Sequence, residues 1–313
     1  MIRVYESRLL SDIQIERMVY ADTAQQAFDV LHDTDFSDFA TKYSDPLDFE
    51  KVIEKSMLAT KHDLTKLLPD PLIFEGVWKW YDFYNMKIAM KAVVLGRDFE
   101  VIDQAFSPYG SFSYEEIRMC AYGEKTIEIF TGLQKEAQEL YSTTKNARYI
   151  DFVYDKALYL YLLKWSEQIS SEIIRNYILK KVDFHNIQSF FRMSDDERSE
   201  YSTWVYVEGG NVSRSDFQSQ EMMERRASQM FSSNTMETFK SDNYFQGLHQ
   251  EAEKLLFSFI AETRYVPMGP EPIWGYWLAR KNAGAVIRMI MVGKLNQLSS
   301  EEIQKNIQLF LNK

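Results

Sequence analysis

Apolar side chains recur along this chain at the spacing of an α-helix. Three asparagines, Asn85, Asn186 and Asn282, provide a common origin for counting. The positions at +1, +4, +5 and +8 are apolar after the first and the third of them: Met86, Ala89, Met90 and Val93, and Ala283, Val286, Ile287 and Ile290. After Asn186 the pattern holds until Ser194. This spacing places the apolar side chains in one stripe along a helix, so it predicts three amphipathic helices.

The segments around these asparagines share further residues. Asp82–Asn85 recurs as Asp183–Asn186, 101 positions later (183 − 82), with Asp-Phe and Asn in common. Six positions after each asparagine there is a cation on another helix face: Lys91, Arg192 and Arg288. Gly96 and Gly293 are each followed by a further cation. We therefore expect each of these glycines to end its helix in a left-handed conformation, where a cation suits the helix dipole.

A helix-start signature follows each asparagine. It consists of an apolar residue, a serine, and an acidic residue three positions after the serine; the serines are Ser113, Ser213 and Ser299. A serine N-cap with an acidic residue at N3 satisfies backbone N–H groups that a helix start leaves free. The shared order, with 100 positions between the first two serines (213 − 113), predicts three related units. We expect the three asparagines to occupy equivalent inward positions, where an amide can bridge backbone groups.

The sequence predicts an all-α fold with three pseudo-symmetric helical repeats. Glycine (12) and proline (7) are few for 313 residues, which favours helices joined by short connections. Tyrosine (19) and phenylalanine (21) are abundant, so large rigid side chains should dominate the packing between helices. We assign the repeats to residues 1–106, 107–207 and 208–313, as parts of one compact body. The sharpest break, at 267–272, should separate a helix ending near Arg264 from one beginning near Trp274.

Charge and composition exclude several classes of function. The net charge is −10, with 46 acidic and 36 basic residues, which argues against binding nucleic acid or anionic lipid headgroups. A basic protein partner remains compatible. No apolar run approaches the roughly 18 residues that a membrane span requires, and the first residues lack the apolar core of a signal peptide. We therefore expect a cytoplasmic protein in which Cys120, the single cysteine, is buried and reduced.

Candidate catalytic and metal-binding patterns are weak. The four histidines, His32, His62, His185 and His249, are scattered. The segment 33–38 lacks the glycine and glutamate of a calcium loop. Asp195 and Asp196 could hold magnesium against a diphosphate, although a capped, solvated turn is the favoured interpretation. The sequence contains no P-loop and no dinucleotide-binding glycine pattern. We expect no catalytic, cofactor-binding or metal-binding residues and no cofactor.

Several motifs resemble a known family. The opening Tyr5–Ser11, the segment Trp80–Lys87, and the run Val266–Pro272 followed by Arg280–Asn282 and Ile287–Asn296 are similar to the C subunit (the d subunit in eukaryotes) of V/A-type rotary ATPases. The similarity covers nearly the whole chain in order. It is strongest in about the last 50 residues and weakest between about 120 and 180. At Gly284 and Ala285, bulkier or charged residues would be expected for this family.

The resemblance implies a funnel of three pseudo-symmetric helical units with a mechanical function. Its wide end would sit on the membrane rotor ring, and its socket would grip the central shaft subunits of D and F type. Such a protein is non-catalytic and links ATP hydrolysis or synthesis to proton or sodium transport. We expect the acidic excess to line the socket and complement basic residues of the shaft. Two alternatives stay open: a helical-repeat protein-binding scaffold, and a magnesium-dependent diphosphate enzyme using Asp195 and Asp196.

Overall fold

The computed structural model describes residues 2–67, 70–231 and 245–308. Over these ranges the regular secondary structure is helical, without any β-strand, which confirms the predicted all-α class. The chain divides into two compact units, one formed by Met1–Asp70 with Glu253–Lys313 and the other by Pro71–Ala252. The predicted boundaries of three repeats are a different division, and they stay a prediction.

The first unit is built around one long helix, α15 (Glu271–Leu295), against which several shorter helices pack. Its helices are α1 (Ile2–Glu6), α2 (Asp12–Val19), α3 (Ala24–Asp29), α4 (Ser37–Ala40), α5 (Phe49–Leu67), the part of α14 (Phe245–Thr263) from Glu253 onward, α15 (Glu271–Leu295) and α16 (Ser300–Ile307). Trp274 and Trp277 of α15 are fully buried together with Phe28 and Phe36. Large aromatic side chains therefore form the centre of this unit, as predicted.

The second unit is organised by one helix, Arg148–Gln168, which packs against the helices Leu72–Leu95, Leu133–Thr144 and Glu172–Phe191. Its helices are α6 (Leu72–Leu95), α7 (Phe99–Ile102), α8 (Tyr114–Ala121), α9 (Leu133–Thr144), α10 (Arg148–Gln168), α11 (Glu172–Phe191), α12 (Asp195–Val205) and α13 (Gln220–Met230). Gly76 of α6 lies directly against Trp165 of α10. A Cβ at Gly76 would come within 2.6 Å of the indole ring, so the contact requires a residue without a side chain. The rings of Phe83 and Phe130 meet edge to face at 5.0 Å. Aromatic contacts and close helix approach thus hold this unit together.

The predicted apolar stripes are largely buried, in helices that begin earlier than the asparagines. Asn85, Asn186 and Asn282 lie well inside α6, α11 and α15, respectively. The stripe residues Met86, Ala89 and Met90, and likewise Ala283, Val286, Ile287 and Ile290, are buried. Among the described residues, none of the helices combines the length and apolar character that crossing a bilayer requires.

One of the two predicted glycine terminations is confirmed and the other is wrong. Gly96 caps the C-terminus of α6 with φ +61°, in the left-handed region. Gly293 instead lies within α15, which continues to Leu295. The absence of a side chain there serves packing, since a Cβ would come within 2.6 Å of Ile303 on α16. The break before α15 is confirmed, because α14 ends at Thr263 and α15 begins at Glu271.

Gly284 marks a second close approach of α15. A Cβ at this position would lie 3.0 Å from Cγ2 of Ile53 on α5, tighter than ordinary van der Waals contact. The missing side chain, which costs helix propensity of about 1 kcal/mol, therefore lets the two helices pack more closely.

Candidate functional site

Asn85 and Asn186 each bind the backbone of a segment that lies beyond the next helix in the chain, after α7 and α12, respectively. The Ser107 N–H donates to Oδ1 of Asn85 at 2.8 Å, and Nδ2 of Asn85 donates to the Ser107 carbonyl oxygen at 2.8 Å. Asn186 makes the same pair of bonds with Val207, at 2.9 and 2.8 Å. Both asparagines are buried. A primary amide supplies one acceptor and two donors, so it can satisfy both backbone groups of one residue at once.

Two aspartates, three positions before these asparagines, bind the same segments further on. Oδ1 of Asp82 accepts from the Ser111 N–H at 2.7 Å, and Oδ1 of Asp183 accepts from the Val212 N–H at 2.8 Å. Both carboxylates are fully buried. The segments approach them closely because glycine precedes each contact. A Cβ on Gly110 would lie 2.4 Å from Oδ1 of Asp82.

The two buried aspartates differ in their charge compensation. Lys79 donates to Oδ2 of Asp82 at 3.1 Å and stacks over the Phe112 ring at 4.5 Å from its centroid. Asp183 instead accepts from the side-chain amide of Asn211 at 3.0 Å. Burial raises the pKa of the Asp183 carboxyl above its ordinary value, against the lowering effect of these hydrogen bonds and of the charge on Arg226. The desolvation cost of Asp183 is thus only partly offset by its hydrogen bonds and by the charge on Arg226.

The third asparagine, Asn282, has a different setting. It is half-buried and lines a cavity of about 140 Å³ together with Leu9, Leu10 and Val286. Only 17 positions separate Asn282 from Ser299, against 28 between Asn85 and Ser113. The connection after α15 is therefore shorter than the segment that Asn85 holds. The equivalence of the three asparagines stays a prediction for this copy.

The predicted serine caps form at all three positions, although one starts a different element. Ser113 and Ser299 make complete capping boxes with the glutamates three positions later, at the starts of α8 and α16. Ser213 makes the same bonds with Asp216, at 2.8 and 3.2 Å. The segment that follows is a 3₁₀ turn, Asp216–Gln218, and α13 begins afterwards with its own cap, Ser219. A shared cap sequence therefore fixes the turn at Ser213 without fixing an α-helix.

Sequence reasoning missed a further copy of this signature at Ser11. Ser11 caps α2 in a complete capping box with Gln14, and Ile15 is buried after it. The signal was present in the sequence as Leu-Ser-x-x-Gln-Ile, 102 positions before Ser113 (113 − 11). A signature restricted to acidic residues at N3 leaves this copy out, although glutamine accepts the same bond.

Two of the predicted cations, Lys91 and Arg288, make ion pairs between helices. Lys91 on α6 pairs with Asp151 on α10 at 2.7 Å, and Arg288 on α15 pairs with Glu50 on α5 at 2.6 Å. Arg192 is the C-cap residue of α11, and its carbonyl oxygen accepts from Arg148 at 2.8 Å. Glu50 and Asp151 are 101 positions apart, so the two paired carboxylates follow the same spacing as the asparagines (151 − 50).

One aspartate of the candidate enzyme pair, Asp195, and one of the candidate calcium segment, Asp35, are each bonded to an arginine. Asp195 at the start of α12 hydrogen-bonds to Arg198, which sits one turn further along the helix. Asp35 is bonded to Arg280 in the same way. In the part of the chain that the structure describes, no three His, Cys, Asp or Glu side chains converge as metal ligands would. The arrangement around Asp195 and Asp196 therefore resembles a capped turn.

The comparisons with known proteins cover nearly the whole chain. A family model described as ATP synthase (C/AC39) subunit matches residues 1–306. The chain is 22% identical over 324 residues to the C subunit of the V-type sodium ATPase of Enterococcus hirae, covering 98% of this chain and 96% of that protein. It is also 22% identical over 333 residues to the C subunit of the A-type ATP synthase of Methanocaldococcus jannaschii, covering 97% of this chain and 83% of that protein.

Proposed function

Because the chain belongs to the ATP synthase (C/AC39) subunit family, we propose that it is the non-catalytic central-stalk rotor subunit of a V/A-type rotary ATPase. In this function it couples the central shaft to the membrane rotor ring, so that ATP hydrolysis or synthesis is linked to proton or sodium transport. The match to the family over residues 1–306 is the observation that carries the proposal. The two relatives, each the C subunit of its own complex, support it, since both align over nearly the whole of this chain.

The proposed partners are the shaft subunits of D and F type and the membrane rotor ring. The chain would associate with the membrane peripherally, through the ring. This agrees with the lack of a membrane-spanning helix among the described residues. The acidic net charge of −10 supports a basic partner surface, because opposite potentials steer association.

A protein that transmits torque must resist deformation, and several contacts suit this demand. Hydrogen bonds of the buried amides of Asn85 and Asn186 fix the segments after α7 and α12 to α6 and α11. Helix pairs approach closely at glycines, and fully buried aromatic side chains fill each unit. Tightly packed interiors have low compressibility and pass strain on rather than absorb it.

The three-repeat architecture is part of this proposal. Lys91–Asp151 and Arg288–Glu50 join a helix of one predicted repeat to a helix of another, from the first to the second and from the third to the first. The matching spacing of the paired carboxylates supports repeats that follow one another cyclically, as the funnel of this family would require.

The proposed function can be tested by removing the chain from its complex and adding it back. Membrane vesicles carrying the enzyme are stripped of this chain, and ATP hydrolysis and ion uptake are measured before and after the purified chain is added back. We expect ion uptake to be lost on stripping and restored by the chain, because hydrolysis that is not coupled to the rotor ring does no transport.

Two outcomes would contradict the proposal. One is unchanged ion uptake in vesicles that lack the chain. The other is purification of the tagged chain from membranes without any rotary ATPase component, which would favour the helical-repeat scaffold.

A salt titration tests the electrostatic part of the proposal. If association with the shaft is electrostatic, the affinity of the chain for the shaft must fall as salt is raised and the Debye length shortens below about 8 Å.

A further inference from the structure

The first unit contains a polar cleft of about 530 Å³. It lies between the turn after α1, the segment 33–38, helix α5 and helix α15. This volume is within the range of about 300–1,000 Å³ that small-ligand sites occupy. Hydroxyl and charged side chains line much of it, so an occupant should be polar and charged.

The floor of the cleft is a buried ion pair with unused hydrogen-bonding capacity. Arg280 bonds to Asp35 and to the Ser56 hydroxyl, and its guanidinium lies 4.3 Å from the centroid of the Phe36 ring. The side chains of Arg280 and Asp35 are 3% and 9% exposed. Within the described part of the chain, Oδ1 of Asp35 and Nε of Arg280 have no hydrogen-bond partner. A buried polar atom without a hydrogen-bond partner is unfavourable, so the pair is incomplete by itself.

The walls of the cleft have an excess of negative charge. Four aspartates and two arginines line it. Asp33 is paired with Arg17 at 2.8 Å, whereas Asp38 and Asp63 are exposed and form no ion pair or hydrogen bond within the described residues. Arg8 is likewise unpaired at its side chain in that part of the chain, so the cleft offers two open carboxylates and one open cation.

We propose that this cleft receives a basic side chain, a guanidinium or ammonium group, from a partner protein. The assignment to a protein rests on the proposed function, in which the chain works only within a complex. The chemistry rests on the cleft itself. An anionic ligand would face Asp38 and Asp63, whereas a cation with N–H donors finds acceptors there and lies above the incompletely bonded Asp35.

The positive charge of Arg8 favours a protein side chain over a free polyamine as the bound cation. A free polyamine would place several positive charges in a cleft that also holds Arg8 and Arg280. A protein segment can present one basic residue to Asp38 and Asp63 and a carboxylate to Arg8. Charge complementarity on both sides of the cleft therefore favours a folded partner over a small polycation.

The buried carboxylate of Asp35 gives a further reason why the cleft should bind a cation. Burial raises the pKa of the Asp35 carboxyl, and the charge and hydrogen bond of Arg280 only partly oppose this. A second cation in the cleft stabilises the ionised carboxylate even without touching it, because electrostatic interactions are strong where water is excluded.

The chemistry of the cleft can be tested on the isolated chain. n-Butylguanidinium, a mimic of an arginine side chain, is titrated while the Nε–H resonance of Arg280 is followed by NMR. We expect saturable shifts in the parent chain and at least a tenfold weaker response in the double variant Asp38→Asn, Asp63→Asn. The matched control is Glu16→Gln, Glu54→Gln, which removes the same charge from exposed positions outside the cleft and should respond like the parent.

Equal responses of the two double variants, or no saturable shift in the parent, would overturn the cation site. Spermidine binding more than tenfold tighter than n-butylguanidinium would overturn the assignment to a protein.

The partner is tested separately, in the stripped membrane vesicles. The Asp38→Asn, Asp63→Asn chain should need at least tenfold more protein than the control variant for half-maximal recovery of ion uptake. Recovery at the same concentration would overturn the protein partner even if n-butylguanidinium binds. If the parent chain restores no ion uptake to the vesicles, this result contradicts the proposed function instead. The NMR titration would still test whether the cleft binds a cation.

Discussion

Replacement of Asn186 by alanine should destabilise the chain much more than the same change at Asn85. Each asparagine bonds both backbone groups of one residue, Val207 and Ser107, respectively. Val207 is fully buried, whereas Ser107 is half-buried. Water can therefore replace the lost amide at Ser107, but the N–H and C=O of Val207 would be left without partners.

The magnitude follows from the cost of buried unpaired groups. Each costs about 1–3 kcal/mol, so we expect Asn186→Ala, which strands two such groups, to lower the free energy of unfolding by about 2–6 kcal/mol. For Asn85→Ala the exchange of amide for water should cost about 1 kcal/mol. Asn296→Ala provides a control, since its exposed side chain bonds to a carbonyl within its own helix end, and it should cost about 0.5 kcal/mol or less.

Urea unfolding followed by circular dichroism ranks the three variants by their free energy of unfolding. Hydrogen exchange localises the effect, because the Val207 amide should exchange about 100-fold faster in Asn186→Ala if local opening becomes easier by about 3 kcal/mol. Equal losses for the Asn186 and Asn85 variants would refute the reasoning. Unchanged exchange at Val207 would refute it as well, since the bond to Oδ1 would then not protect this amide.

Three further changes have defined outcomes. Gly210→Ala places a Cβ 2.1 Å from Oδ1 of Asp183, and should lower the free energy of unfolding by about 1–3 kcal/mol in thermal melts; an unchanged Tm would show that the segment can move aside. Asp183 has a raised pKa, so its folded form binds a proton more tightly than the unfolded chain, and stability should fall as pH rises from 3.8 through the raised value. Asp183→Asn should remove that fall, and a parent-like slope of Tm against pH would contradict it. Arg280→Met strands the Asp35 carboxylate and should cost about 3–5 kcal/mol, with a second change, Asp35→Leu, recovering most of the loss in the same urea assay.

Patterns among residues that are close in the sequence were sufficient to predict the helices and several of their ends. The 3.6-residue stripes predicted the buried faces of α6 and α15, and the Ser-x-x-Glu pattern predicted the caps at Ser113 and Ser299. The resemblance of whole motifs gave the family. These features could be read because a capping box or a helical stripe depends on residues within one or two turns of each other.

Contacts between distant positions were settled by the tertiary structure alone. Gly293 looked like a helix end, but its role is to let Ile303 pack against α15. Arg280 and Asp35 are 245 positions apart, and nothing near either residue in the sequence indicates the other. The sequence by itself determined which segments are helical and which turns are capped. Which buried charges meet, and where a cleft is left between them, depends on how the helices pack, because these interactions exist only after the chain has folded.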